Sequence, residues 1–181
     1  MNIEQTSLPG VFLVEPKVFG DDRGYFMEAW HAERFAAAGI DARFVQENES
    51  RSRRGVLRGL HYQIQKAQGK LVRALDGEVF DVAVDVRKSS PHFGKWFGCA
   101  LSAQNRRALY VPPGFAHGFY VTSAFATILY ACTDVYAPEH ERSIRWDDPE
   151  IGIEWPLLRD ELLLSSKDAA APLLSGAEVY P

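Results

Sequence analysis

Apolar residues alternate strictly along residues 78–86, and this feature constrains the fold of the chain more than any other. One face of an extended segment there carries Phe80, Val82, Val84 and Val86, and the other carries Val79, Asp81, Ala83 and Asp85. A period of two is the side-chain period of a β-strand, so the pattern predicts a strand. Asp76-Gly77 precedes it as a hairpin signal, and we expect a hairpin with a strand at 70–75.

Further short segments have strand character, and turn residues separate nearly all of them. They are residues 12–15, 24–29, 43–49, 56–63, 96–101, 108–111, 118–122 and 127–136. Many short strands with frequent turns favour a sandwich or barrel over βαβ units. Helical signals are confined to 31–38 and 166–171. We therefore predict one all-β domain over residues 1–181 with short flanking helices.

Composition excludes several function classes. The 181 residues carry a formal net charge of −4, which argues against nonspecific nucleic-acid binding. No apolar run is long enough for a bilayer span, and the first residues lack a secretory signal, so we expect a cytoplasmic protein without a membrane partner. Cys99 and Cys132 lie in apolar runs without metal-binding spacing, and we expect buried free thiols.

Two of the five histidines, His61 and His117, lie in strand-like stretches among glycine and aromatic residues. The other three, His31, His92 and His140, lie in polar or loop segments and are expected near the surface. A strand histidine is commonly held by a backbone carbonyl, and a catalytic role is the alternative. Spacing alone does not decide between the two.

A metal site is the natural competing interpretation. Metal-binding jelly-roll proteins usually carry a His-x-His pair, a nearby Glu and a later His. Here His61 is followed by Tyr62 and Gln63, so the second histidine of the pair is missing. We expect no metal.

Arg58 lies between apolar and glycine residues, where an unpaired buried charge would be costly. This position favours a buried anionic partner or ligand, whereas Arg53 and Arg54 are expected on a solvated loop. Simple alternation puts Arg58 and His61 on opposite faces of a strand. We therefore predict a β-bulge at Gly59 that brings them to one site.

Asp168 and Tyr130 have ordinary structural interpretations. Ser165 and Asp168 form the S-x-x-D pattern that begins a helical turn, and tyrosine packs well within strands. Neither residue indicates catalysis when taken alone.

Read together, several sequence blocks resemble the dTDP-4-dehydrorhamnose 3,5-epimerase family across essentially the whole chain. The blocks are residues 15–24, 56–63, 69–73, 77–86, 113–119 and 166–172. The resemblance implies a cupin-like jelly roll (double-stranded β-helix), no cofactor, a dTDP-sugar substrate, and a homodimer that exchanges N-terminal strands within about residues 1–30.

The resemblance also implies roles for individual residues. His61 is similar to the general base, Asp168 to the carboxylate that orients it, Tyr130 to the general acid and Lys70 to the donor facing the 4-keto oxygen. The implied binding residues are Phe19, Arg23, Phe26, Glu28, Gln46, Asn48, Arg58, His117, Tyr136 and Lys167, of which Phe19, Arg23 and Glu28 reach the nucleotide from the partner subunit.

Three functions remain open from the sequence. They are a 3,5-epimerase acting through enolates, a 3- or 5-monoepimerase of another deoxysugar pathway, and a non-catalytic or metal-dependent cupin. The presence of Tyr130 favours the first.

Overall fold

The computed structural model describes residues 1–156 and 162–181. Strands dominate the described residues, and helices are short. The strands are β1 (Asn2–Gln5), β2 (Phe12–Glu15), β3 (Val18–Asp21), β4 (Gly24–Met27), β5 (Gln46–Arg53), β6 (Leu57–Gln63), β7 (Lys70–Asp76), β8 (Glu78–Asp85), β9 (Trp96–Ser102), β10 (Ala108–Val111), β11 (Phe115–Val121), β12 (Phe125–Cys132) and β13 (Glu141–Ser143). The α-helices are α1 (Ala32–Ala37) and α2 (Ser166–Ala169), and 3-10 turns form at Pro138–His140 and Leu174–Gly176.

Two antiparallel sheets contain most of these strands. The first sheet has the order β1-β2-β10-β7-β12-β5, and the second has the order β13-β6-β11-β8-β9. Strands consecutive in sequence repeatedly fall in different sheets, which is the arrangement of a jelly roll. The predicted all-β, cupin-like architecture with short flanking helices is confirmed.

The alternation along β8 is explained by two apolar cores on its two faces. Val79 and Ala83 pack between the sheets with residues such as Leu109 and Ile128. The opposite face of β8 is also buried, because the C-terminal part of the chain covers the second sheet. There Phe80, Val82, Val84 and Val86 pack against Ile144, Ile151, Leu174 and Val179.

The hairpin predicted at Asp76-Gly77 is wrong. A turn does lie there, but β7 pairs with β10 and β12, whereas β8 pairs with β9 and β11. Gly77 has φ 69°, and a Cβ on it would lie 1.9 Å from the Phe125 carbonyl oxygen. The turn therefore passes the chain from one sheet to the other, past the start of β12.

Most of the remaining expectations are confirmed to within a few residues. The bounds of β2 and β10 are as predicted, while β5 lies later than expected and β12 ends at Cys132 instead of 136. The strands β1, β3 and β13, which are short or polar, were not predicted from the sequence. Both cysteines are free thiols, but Cys99 is half-buried, unlike the buried Cys132.

The N-terminal region divides into two parts. β1 and β2 join the chain's own first sheet through β10, whereas β3 and β4 form a separate two-stranded hairpin. The hairpin is mostly exposed, including Phe19 (54%) and Phe26 (69%). Within the described residues, no helix is both long and apolar enough to cross a membrane.

Replacing Gly77 by Ala tests the turn between the sheets. The new methyl group would meet the Phe125 carbonyl in a left-handed backbone conformation, so we expect a loss of roughly 2–4 kcal/mol in the free energy of unfolding. Urea denaturation measures it. Gly176→Ala is the matched control, because a Cβ on Gly176 has nothing within 4 Å. Equal stability of the two variants would contradict this account of the turn.

Candidate active site

A cavity of about 270 Å³ is lined by side chains from both sheets. It brings together six of the residues proposed from the sequence. The lining consists of Gln46, Asn48, His61, Tyr62, Gln63, Gln68, Lys70, Tyr130, Tyr136 and Glu141. Polar and ionisable groups thus converge at one place, as a small-molecule site requires.

His61 and Asp168 are in direct contact. His61 Nε2 lies 2.5 Å from Asp168 Oδ1, although the residues are 107 positions apart. Asp168 is 3% exposed. Because the carboxylate occupies Nε2, Nδ1 is the ring nitrogen left for a ligand.

The structural interpretation of Asp168 holds as well. Ser165 is the N-cap of α2, and its Oγ accepts a hydrogen bond from the Asp168 backbone N–H. The same hydroxyl donates to Asp168 Oδ2 at 2.8 Å, so the cap holds the carboxylate that faces His61. Burial alone would raise the pKa of Asp168, but His61, Ser165 and Lys167 outweigh it and hold the pKa below the usual value.

The predicted bulge at Gly59 is present. β6 and β11 pair His61 with His117 and Arg58 with Phe119. The two pairs are three residues apart on β6 but only two residues apart on β11, so β6 contains one extra residue. Gly59 has φ 137°, and a Cβ on it would lie 2.6 Å from the Gly118 Cα. Only glycine suits this close approach, and the bulge re-aims the strand just before His61.

Arg58 is exposed, so its expected burial is wrong. Its Nε and Nη2 both donate to Ser52 Oγ at 3.1 Å. No carboxylate pairs with it in the described part of the chain. Arg58 lines a second cavity of about 380 Å³, which it shares with His61, Lys167 and Asp168. The His61–Asp168 pair therefore lines a cavity that also carries two cationic side chains, Arg58 and Lys167.

His117 forms a second histidine–carboxylate pair. It is cross-strand from His61, and its Nε2 lies 2.9 and 3.0 Å from the two carboxylate oxygens of Asp81. Asp81 is fully buried and His117 is 7% exposed. His117 therefore lies behind His61 and is not part of the cavity lining. The other histidines, His31, His92 and His140, are half-buried.

Lys70 and Tyr130 have pKa values displaced in opposite directions. Burial lowers the pKa of Lys70, and the Cys132 thiol, Asp81 and Glu141 partly oppose that shift. Burial also raises the pKa of Tyr130, which keeps its phenol protonated. The cavity therefore contains a lysine that releases a proton more easily than usual and a tyrosine that keeps its own.

Sequence reasoning missed Glu141. Its Oε1 lies 2.5 Å from Lys167 Nζ, and its Oε2 accepts a hydrogen bond from the Tyr136 hydroxyl at 3.0 Å. Burial would raise the pKa of Glu141, but these partners hold it below the usual range. No motif surrounds Glu141, and only the pairing of β13 with β6 brings it to the cavity.

Four predicted binding residues lie elsewhere in this chain. Phe19, Arg23 and Phe26 line a cavity formed by the β3–β4 hairpin itself, and Glu28 accepts a hydrogen bond from Arg34. Of the remaining predicted residues, six line the first cavity, while Arg58, Lys167 and Asp168 line the second one with His61, and His117 lies cross-strand from His61.

Metal-ligating side chains do not cluster in the described ranges. No group of three or more His, Cys, Asp or Glu side chains could hold a metal ion there.

Comparison with known proteins gives a consistent picture. A family model for dTDP-4-dehydrorhamnose 3,5-epimerase matches residues 5–176. The enzyme of that name from Pseudomonas aeruginosa is 56% identical over 182 residues, and the match covers 100% of both chains. The enzyme of that name from Methanothermobacter thermautotrophicus is 54% identical, and the match covers 91% of this chain and 89% of the relative. The solved dTDP-6-deoxy-D-glucose-3,5-epimerase of Legionella pneumophila, in complex with dTDP-4-keto-L-rhamnose, superimposes with a TM-score of 0.93 and 55% identity, covering 96% and 93%.

Removing Asp81 tests whether the second pair supports the fold. Asp81→Ala leaves His117 buried without its partner, so we expect a loss of roughly 3–5 kcal/mol in the free energy of unfolding, measured in urea. Asp147→Ala, which breaks the exposed pair with Arg145, should cost less than about 1 kcal/mol. Comparable losses in the two variants would contradict a structural role for the Asp81–His117 pair.

Stability should also depend on pH through Asp168. Its pKa lies below the ordinary 3.8, so the ionised carboxylate stabilises the fold fully above that value and ceases to do so as the pH falls through the lower, folded-state pKa. We expect wild type to exceed Asp168→Asn in stability at pH 7 and the gap to shrink below about pH 4. Thermal unfolding across pH 2–7 measures this gap, and a constant gap would contradict the assignment.

Proposed function

The chain belongs to the dTDP-4-dehydrorhamnose 3,5-epimerase family, and on that premise we propose that it inverts C3 and C5 of dTDP-4-dehydro-6-deoxy-D-glucose. The product is dTDP-4-dehydro-L-rhamnose, an intermediate of dTDP-L-rhamnose biosynthesis. The observation that carries the proposal is the contact of His61 with Asp168 at the wall of a polar cavity. A histidine oriented by a buried carboxylate is a base suited to removing protons.

The chemistry explains why one base can serve two carbons. The 4-ketone acidifies the hydrogens on both neighbouring carbons, C3 and C5. His61 takes the proton, the C–H electron pair becomes a C=C π bond, the carbonyl π pair moves onto oxygen, and an enolate forms. Reprotonation of carbon from the opposite face inverts the centre and restores the ketone. Neither a nicotinamide nor a metal is needed for these steps.

Lys70 supplies the stabilisation that a base alone lacks. A positioned base contributes roughly 10²- to 10⁴-fold, which is too little for a carbon acid. Lys70 faces the same cavity as His61, and we assign its ammonium to the developing enolate oxygen. Its lowered pKa supports that role, because such a group more readily shares a proton with an oxyanion.

Tyr130 returns the proton on the opposite face. Its raised pKa keeps the phenol protonated until the carbanion carbon takes the proton, and solvent then restores the phenol. His61 in turn passes its acquired proton to solvent, which completes the cycle.

Binding roles fall to the groups around these three. We assign Gln46, Asn48 and Tyr136 to the sugar, and Arg58 and Lys167 to the anionic part of the substrate, because both cations line the second cavity beside His61. We assign His117 to the support of His61, because it pairs with the buried Asp81 and lies opposite His61 on the neighbouring strand.

We assign the remaining contacts to a partner subunit. Phe19, Arg23, Phe26 and Glu28 lie outside the cavities around His61 in this chain, and the exposed hairpin offers apolar side chains to a second copy. A homodimer that exchanges hairpins would bring them to the nucleotide. Because β1 pairs with β2, and β2 pairs with the chain's own β10, we assign the exchange to the hairpin and not to the whole of residues 1–30.

Two further expectations complete the proposal. Residues 1–181 form a single epimerase domain, and it acts in the cytoplasm on a dTDP-sugar, without a nucleic-acid or membrane partner. The net charge of −4 and the free thiols support this assignment.

Deuterium exchange tests the reaction. Wild type incubated with the 4-keto-6-deoxyglucose nucleotide in deuterated water should label C3 and C5, as read by NMR, and His61→Asn should slow both exchanges by roughly 10²- to 10⁴-fold. Tyr130→Phe should retain exchange but lose inversion, because only the proton return is affected. Label at one carbon alone would identify a monoepimerase. No label at either carbon would indicate a non-catalytic cupin, and exchange that survives in His61→Asn would indicate a metal-dependent one.

Mixing two inactive variants tests the exchanged hairpin. His61→Ala removes the base and Arg23→Ala removes the contact from the partner. A mixed dimer should contain one intact site, since His61 of one chain would meet Arg23 of the other. We expect activity to rise toward roughly a quarter of wild type after co-refolding, from the statistics of mixing. No recovery would place Arg23 and His61 in the same chain's site or outside any shared one.

A further inference from the structure

Three glutamine side chains hold four consecutive residues beside the cavity. These residues, 134–137, connect β12 to the 3-10 turn at Pro138–His140, and we call them the strap. Gln68 Nε2 donates to the Asp134 carbonyl (2.9 Å), Gln63 Nε2 donates to the Val135 carbonyl (3.2 Å), Gln46 Oε1 accepts from the Tyr136 N–H (2.8 Å) and Gln63 Oε1 accepts from the Ala137 N–H (2.8 Å).

Gln63 is the central member of this set. It is 3% exposed, and its amide also donates to the Lys66 carbonyl at 2.7 Å. Both amide hydrogens and the oxygen are therefore engaged with main-chain groups. An amide so occupied has no donor left for a substrate, so Gln63 acts on the reaction only through the backbone that it holds.

The strap carries Tyr136 into the cavity. Tyr136 lines the cavity, and its hydroxyl donates to Glu141 Oε2 at 3.0 Å. Its own N–H is held by Gln46, and the next N–H along the chain is held by Gln63. The ring is thus fixed at its hydroxyl, while the backbone that bears it is fixed from both sheets.

Gln63 also lies on the strand that carries the base. His61 and Gln63 are two residues apart on β6, and alternation places both side chains on the same face. The bonds from Gln63 therefore tie the strap, and Tyr136 with it, to the strand that positions His61.

We propose that Gln63 is a positioning residue of the epimerase, which holds Tyr136 as a fixed wall of the sugar cavity relative to His61. The proposal rests on the proposed function. A sugar ring that presents two different C–H bonds to one base must be oriented closely, and a displacement of about 1 Å can cost roughly 100-fold in rate.

A double-mutant cycle between Gln63 and Tyr136 tests this role. Gln63→Met keeps the side-chain length but removes every amide hydrogen bond. In the wild-type background we expect kcat for exchange to fall roughly 10- to 100-fold, while KM for the nucleotide sugar changes less than about 3-fold. In a Tyr136→Ala background, Gln63→Met should lower kcat less than about 3-fold further, because the wall is already absent.

Controls separate positioning from folding. Gln65→Met, two residues along the chain and exposed, should leave kcat and KM unchanged. All variants are assayed below their measured unfolding temperatures. If Gln63→Met does not fold, Gln63→Glu takes its place. This variant keeps the oxygen that accepts from the Ala137 N–H, but it replaces the amide nitrogen that donates to the Lys66 and Val135 carbonyls with a second oxygen.

The outcomes are distinct. The positioning role is overturned if Gln63→Met lowers kcat equally in the wild-type and Tyr136→Ala backgrounds, or if it leaves kcat at the wild-type value. The proposed function still stands in either case, provided that the wild-type protein exchanges at C3 and C5. Absence of exchange in the wild-type protein would instead overturn the proposed function, and the role of Gln63 with it.

Discussion

The contact between His61 and Asp168 is the interaction on which the rest of the site depends. A buried carboxylate must meet a strand histidine from a helical turn 107 residues away. The C-terminal segment can make that meeting because it folds back over the second sheet, where Ile144, Leu174 and Val179 complete an apolar core. The same segment therefore covers the second sheet and brings Asp168 to His61. Ser165, the N-cap of α2, also donates a hydrogen bond to the Asp168 carboxylate, so the residue that begins the helix holds the carboxylate that contacts His61.

Charge around the cavity is arranged in layers. Asp168 and Asp81 are buried carboxylates, each held by a histidine, and they lie behind the lining. Glu141, Lys167 and the phenol of Tyr136 form a second set at the wall. Lys70 and Tyr130 have opposite pKa displacements, so one cavity contains a lysine that releases its proton more easily than usual and a phenol that keeps its own. Burial lowers the pKa of Lys70, which has no carboxylate in direct ion-pair contact in the described residues, and the Cys132 thiol, Asp81 and Glu141 offset only part of that shift.

The sequence predicted the strands well because alternation is local, but strand partners depend on the whole chain. Asp76-Gly77 has the residues of a hairpin turn, yet the jelly roll sends β7 and β8 to different sheets. The exposure of Arg58 was misjudged for a similar reason, since its apolar neighbours in sequence point away from it. The bulge at Gly59 was predictable. Arg58 and His61 were expected in one site, but they are three positions apart, so a regular strand would place them on opposite faces. Glu141 and the hydrogen bonds of Gln63 were not predictable, because both arise from contacts across the fold and neither has a motif.

The tautomer of His61 tests the central claim most directly. If Asp168 orients His61 as a base, Nε2 carries the proton that Asp168 accepts, and Nδ1 is free to take a proton from carbon. Nitrogen NMR of the histidine-labelled protein at neutral pH, with His61→Asn used to assign the signals, distinguishes a protonated from an unprotonated ring nitrogen. The account predicts a protonated Nε2 and an unprotonated Nδ1 in wild type, with the Nε2 proton shifted upfield in Asp168→Asn. A protonated Nδ1 with an unprotonated Nε2, or a spectrum unchanged by Asp168→Asn, would contradict it.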